Sequence, residues 1–243
     1  MIRSLNYYDD FKKICLFDFN DYGVLDNIKT FQIIGNRYSG KTTLVNNIVK
    51  ILNYSIQFKD IYLFTQHNHY NNYDYFFERC NNYFNSLNLN YIFENENTHE
   101  YVKKRMDDII QKQKEDPSKP ILIICDEHEI DLFPMELLES YLSIPEINIY
   151  AINVSQKPAL SSKFTYDMIF AYKENIENNK HLLCKMFKPY NLEEIFCNLI
   201  SELVLYTCVL KINKLRQLRS HNKIYTTRVY DVMCEKKLLL SQV

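Results

Sequence analysis

Apolar residues along this chain gather in short unbroken runs, separated by longer stretches where they recur every third or fourth position. The runs predict strands and the periodic stretches predict helices. Strands are expected at residues 28–34, 60–65, 120–125, 146–154 and 166–172. Residues 42–53 form a helical pattern, with Leu44, Ile48, Ile51 and Leu52 on one face. A lysine-rich amphipathic helix is expected at 98–116, closed by Pro117, and a short helix at 133–142. A long helix is expected from Asn191, where Glu194 makes a capping pair and Leu192, Ile195, Phe196, Leu199, Ile200 and Leu203 repeat at helical spacing. The first strand, helix and second strand make a βαβ unit, which requires a right-handed crossover and parallel strands. The class is therefore α/β, with a mostly parallel central sheet of about five strands flanked by helices.

A length of 243 residues and a 47% apolar composition suit one large domain. Residues 1–190 read as the core with an aromatic and acidic N-terminal arm, and 191–243 as a helical, basic extension of the same domain. A formal charge of -1 gives no global field toward nucleic acid or acidic lipid, so any such contact is local. From Lys211 to Lys237, eight basic residues face only Asp231 and Glu235. That stretch is either a contact to a nucleic-acid backbone, a solvated helix face or a subunit contact. The seven cysteines are scattered, with no C-x-x-C pair, and read as free thiols in a reducing compartment. His67 and His69 have no acid or cysteine at metal spacing and read as polar surface. No signal pattern or bilayer-length apolar run is visible, so a soluble, intracellular protein without a membrane partner is expected.

The candidate chemistry lies at the ends of the strands. Gly35-Asn36-Arg37-Tyr38-Ser39-Gly40-Lys41-Thr42-Thr43 follows the first strand and opens the first helix, which is the spacing of a P-loop. Two of the chain's three glycines stand where backbone must approach phosphate. Successive N–H groups and the positive helix end would face one anion, with Lys41 on the β/γ-phosphates of ATP and Thr42 on Mg²⁺. The third expected strand ends in Asp126-Glu127. Ligands in open α/β sheets bind outside the carboxyl ends of the strands, where the P-loop also lies. Asp126 is then placed to hold Mg²⁺, and Glu127 to orient and deprotonate an attacking water. Gln156, just past the fourth strand, is either a sensor of the γ-phosphate or a turn residue before Lys157-Pro158.

Together these residues resemble the genome-packaging ATPases of poxviruses and other nucleocytoplasmic large DNA viruses, within the FtsK–HerA superfamily. The likeness rests on Gly35 to Thr42, on residues 60–65 followed by an Asn/Tyr-rich stretch with Tyr73-Asp74-Tyr75, and on the strand ending at Gln156. It implies an Mg-dependent ATPase with Lys41, Glu127 and Gln156 as catalytic residues, acting as a homo-oligomeric ring. It further implies double-stranded DNA and a capsid or vertex protein as partners, and the virion and host cytoplasm (viral factory) as location. Arg37 departs from the small residues usual in a P-loop; it either touches phosphate or faces solvent. No arginine finger is singled out among Arg79, Arg105, Arg216, Arg219 and Arg228. The competing readings are a nucleoside or nucleotide kinase and a nucleotide-binding structural protein. A GTPase is disfavoured, because no Asn-Lys-x-Asp occurs.

Overall fold

The five expected apolar runs all become strands of one sheet. A computed structural model describes residues 12–13, 28–56, 58–65, 88–93, 98–126, 140–142, 144, 147–158, 165–188, 193–213 and 224–228. Its strands are β1 (Lys12–Lys13), β2 (Thr30–Ile34), β3 (Asp60–Thr65), β4 (Asn88–Phe93), β5 (Ile121–Asp126), β6 (Ile149–Ser155), β7 (Met168–Tyr172), β8 (Thr207–Ile212) and β9 (Ile224–Arg228). The helices bounded within it are α1 (Lys41–Ile56), α2 (Thr98–Glu115), α3 (Glu177–Phe187) and α4 (Glu193–Glu202). The strands lie in the order β1-β9-β8-β7-β2-β6-β5-β3-β4. From β4 to β7 every pairing is parallel, while β8 runs antiparallel to both β7 and β9.

Parallel strands linked by helices are covered on both faces, which is why β2 and β5 are buried at every position. On one face α1 lays Leu44, Val45, Ile48 and Val49 against Phe31, Ile33, Leu122, Ile124 and Ile152. On the other, α2 packs Met106, Ile109 and Ile110 on Phe64, Ile121 and Ile123. Beside it, α3 and α4 bring Leu183, Phe187, Phe196 and Leu199 against Ile34, Ile169 and Val209. Each such side chain contributes about 1.5–3 kcal/mol when fully buried. At the amino edge, Asp167 accepts the backbone N–H groups of Lys29 and Thr30 at 2.8 and 3.1 Å, fixing β7 beside β2.

Three expectations change. The sheet has nine strands among the described residues rather than about five, because β4 lies in the polar stretch after β3 and β1, β8 and β9 extend the other side. The extension after residue 191 is not helical throughout: α4 ends at Glu202, and the fully buried β8 begins at Thr207. Helix α3 stands where no helix was expected. Lys211 also leaves the basic stretch, since it is 5% exposed within β8 and its Nζ donates to the Met186 carbonyl at 3.0 Å. Burial lowers its pKa to about 8, and the neighbouring charge of Lys188 adds to this. Of the short helix expected at 133–142, residues 140–142 are described and helical. The rest of the N-terminal arm, the stretch carrying His67, His69 and Tyr73–Tyr75, Arg79, Asn191, and most of the basic stretch, Arg216 and Arg219 included, lie outside the described residues.

Candidate functional site

The loop after β2 is held from both ends. The Gly35 N–H donates to the Ser155 carbonyl at 3.1 Å, so pairing with β6 runs to the first loop residue. Within the loop, the Ser39 N–H donates to the Asn36 carbonyl at 3.3 Å, and the first helical bond runs from Leu44 N–H to the Gly40 carbonyl at 3.0 Å. The amides of Thr42 and Thr43 stand in the first turn of α1, where no preceding helical turn accepts them. N–H groups at a helix start, together with the positive helix end, are the kind of arrangement that favours an anion. Lys41 is 4% exposed, and its Nζ donates to the Asn36 carbonyl at 2.9 Å, so its charge lies over the loop.

Both glycines are required by contact. A Cβ on Gly35 would lie 2.8 Å from Ser39 Oγ and 2.8 Å from Tyr172 Cβ, and one on Gly40 would lie 2.9 Å from Tyr206 Cδ1. Gly40 also has φ +102°, in the left-handed region that favours glycine. Tyr38 holds φ 62° and is 91% exposed. Arg37 and Asn36 are exposed as well.

The sheet order then sets the neighbours. β6 lies between β2 and β5, with Ile34 opposite Ser155 and Val154 opposite Asp126. Gln156 therefore emerges between the P-loop and Asp126, two strand spacings or about 10 Å across. Asp126 is 2% exposed. Gln156 is half-buried in the bend after β6. Glu127 lies outside the described residues.

The residues present fit a polyphosphate with Mg²⁺. Among the described residues, the Ser39 hydroxyl, beside Gly35, is buried without a hydrogen-bond partner. The space a Cβ would fill is taken by Ser39 and Tyr172 at Gly35 and by Tyr206 at Gly40, so the loop packs closely on its neighbours. Thr42 and Asp126 are hard oxygen donors of the kind Mg²⁺ takes, completing its shell with phosphate and water. Among the described residues no three His, Cys, Asp or Glu side chains form a metal cluster of their own, and no helix is long and apolar enough to cross a membrane. The described cysteines are free thiols, with Cys184 and Cys197 Sγ atoms 3.0 Å apart between α3 and α4. Burial, then the contact with Cys197, pushes the Cys184 thiol up to about 12.

Two tyrosines at the site carry no motif. The Tyr172 hydroxyl donates to the Gly40 carbonyl at 3.2 Å from the end of β7, and Tyr206 sets its ring edge against Gly40. Tyr206 falls within a stretch that reads as helical extension, so only the turn before β8 brings it to the loop.

No family profile and no curated protein matches the sequence. Solved structures do. The genome packaging NTPase B204 from Sulfolobus turreted icosahedral virus 2, in complex with AMPPCP, aligns at TM-score 0.54 and 12% identity over 82% of this chain and 96% of that one. Its complex with sulfate aligns at 0.53 and 11% identity, over 82% and 95%, and its complex with ATP-gammaS at 0.53 and 12%, over 82% and 96%. At such identity the likeness shows the fold alone, and the chain has the α/β fold of the P-loop NTPases, the fold that this viral packaging NTPase also has.

Proposed function

We propose that the chain is an ATP-hydrolysing motor that moves viral double-stranded DNA into a capsid. The observation that carries the ATPase part is the sheet order, which sets the P-loop, Gln156 and Asp126 side by side on one edge. The fold shared with a packaging NTPase supports the DNA part. A homo-oligomeric ring, a capsid or vertex partner and residence in the virion and host cytoplasm belong to the same reading.

In this reading the amides from Gly40 to Thr43 bind the β-phosphate, and Lys41 exchanges the Asn36 carbonyl for β/γ oxygens. Thr42 and Asp126 would hold Mg²⁺, which when bound neutralises charge on the β,γ-oxygens. Glu127 takes the proton of the attacking water, and Gln156 orients that water and registers the γ-phosphate. The chain carries 29 Lys and Arg against 30 Asp and Glu, so DNA is held by a local surface. With Lys211 buried, that surface draws on residues after it.

The test is ATP turnover by wild-type and Lys41→Ala protein, with and without duplex DNA. Turnover raised by DNA and lost in folded Lys41→Ala is expected. Turnover that needs a nucleoside acceptor and ignores DNA would indicate a kinase, and absent turnover with ATP bound a structural protein; either outcome rejects the motor.

A further inference from the structure

The P-loop has two flanks. Gln156 and Asp126 occupy one, so the terminal phosphate and its water belong there and the nucleoside leaves by the other. That second flank is built by β7 and β8. Tyr206, one residue before β8 and at φ 62°, fills the space beside Gly40. Next to it, Val204 and Leu205 are 53% and 68% exposed, and Ile176, on the loop after β7, is 55% exposed. Tyr172 pairs with Cys208 in the sheet, so the loop after β7 and the turn before β8 share this edge.

Exposed apolar side chains are concentrated here. Of five large hydrophobic residues exposed among the described ones, only Tyr101 lies away from the loops at this edge. The turn is held in place: Thr207 N–H donates to the Val204 carbonyl at 3.1 Å. So is the loop. Glu174, 3% exposed, accepts the N–H groups of Asn175 and Ile176, each at 2.8 Å, and its own N–H donates to the Ile200 carbonyl at 3.1 Å. A preset apolar rim beside a phosphate cradle suits a flat, weakly hydrated group joined to phosphate through a sugar.

We propose that Val204, Leu205 and Ile176, backed by Tyr206, form the nucleobase subsite of the P-loop, the ligand being a nucleoside triphosphate. This rests on the P-loop reading and adds to it which surface holds the base. A rim of aliphatic side chains gains affinity by covering the ring and discriminates little between bases.

The experiment compares equilibrium binding of ATP and of inorganic tripolyphosphate, both with Mg²⁺, to wild-type, Val204→Ser/Leu205→Ser and Ile176→Ser proteins. The substituted positions are exposed, and thermal midpoints check that the variants fold. Wild-type protein should bind ATP more tightly than tripolyphosphate. The double variant should lose about tenfold or more in ATP affinity, and Ile176→Ser a smaller factor, while tripolyphosphate affinity stays within about twofold. Unchanged ATP affinity in both variants overturns the subsite while leaving the P-loop standing. A fall in oligomer mass with ATP affinity unchanged also overturns it, making the rim a contact between subunits. Wild-type protein that binds neither ligand overturns the P-loop reading and the subsite together.

Discussion

Replacing Gly40 with Ala probes the contact between the P-loop and the turn before β8. An L-residue at φ +102° is strained by about 1–3 kcal/mol. The added Cβ would also lie 2.9 Å from Tyr206 Cδ1, well inside ordinary carbon contact, which adds about 1 kcal/mol because a ring edge can shift. The sum is roughly 2–4 kcal/mol, and for a chain of this length it should lower the thermal midpoint by roughly 4–16 °C. Tyr206→Ala removes the ring but leaves the φ penalty at Gly40. Thermal unfolding of wild type, both single variants and the double variant then yields a coupling of about 1 kcal/mol, with Gly40→Ala costing less when Tyr206 is absent. The same cost in both backgrounds would refute the contact. No loss at all would refute the loop geometry.

Two further outcomes follow from other parts of the structure. If Asp126 serves Mg²⁺ and Glu127 the water, Asp126→Asn should weaken Mg·ATP binding, whereas Glu127→Gln should keep ATP bound and stop its hydrolysis; binding titrations with an identical defect in both would reject that division. Lys211 releases its proton near pH 8 in the folded chain against 10.5 as a free side chain, so between those values the unfolded state binds more protons and stability rises with pH. Denaturant titrations of wild type and Lys211→Met across that window should differ in slope, the variant lacking this rise; identical slopes would place Lys211 in solvent.

The candidate site was legible where its chemistry is local. Gly35 to Thr43 is contiguous, and so is the run into Asp126, because a phosphate cradle needs glycine, lysine and hydroxyl at fixed offsets and a buried strand needs unbroken apolar residues. Tyr172 and Tyr206 were not legible as parts of the site. Their contacts with Gly35 and Gly40 span more than 130 residues for one and more than 160 for the other, and nothing at either position marks them.

By itself the sequence determined the α/β class, the five strands from β2 to β7 other than β4, the helices α1, α2 and α4, and the loop that opens α1. These follow from the period of apolar residues, a property of each segment alone. Only the tertiary structure decided that β6 separates the P-loop strand from β5, since strand order depends on which hydrophobic faces find each other. It also decided where α4 stops. In most chains a glycine would mark such left-handed turns, but here Tyr38, Lys188 and Tyr206 take φ values of 62°, 47° and 62°. A chain with three glycines places two in this loop, so among the described residues the other left-handed turns fall on residues that give no local sign, and packing around β8 holds Tyr206 where propensity would not.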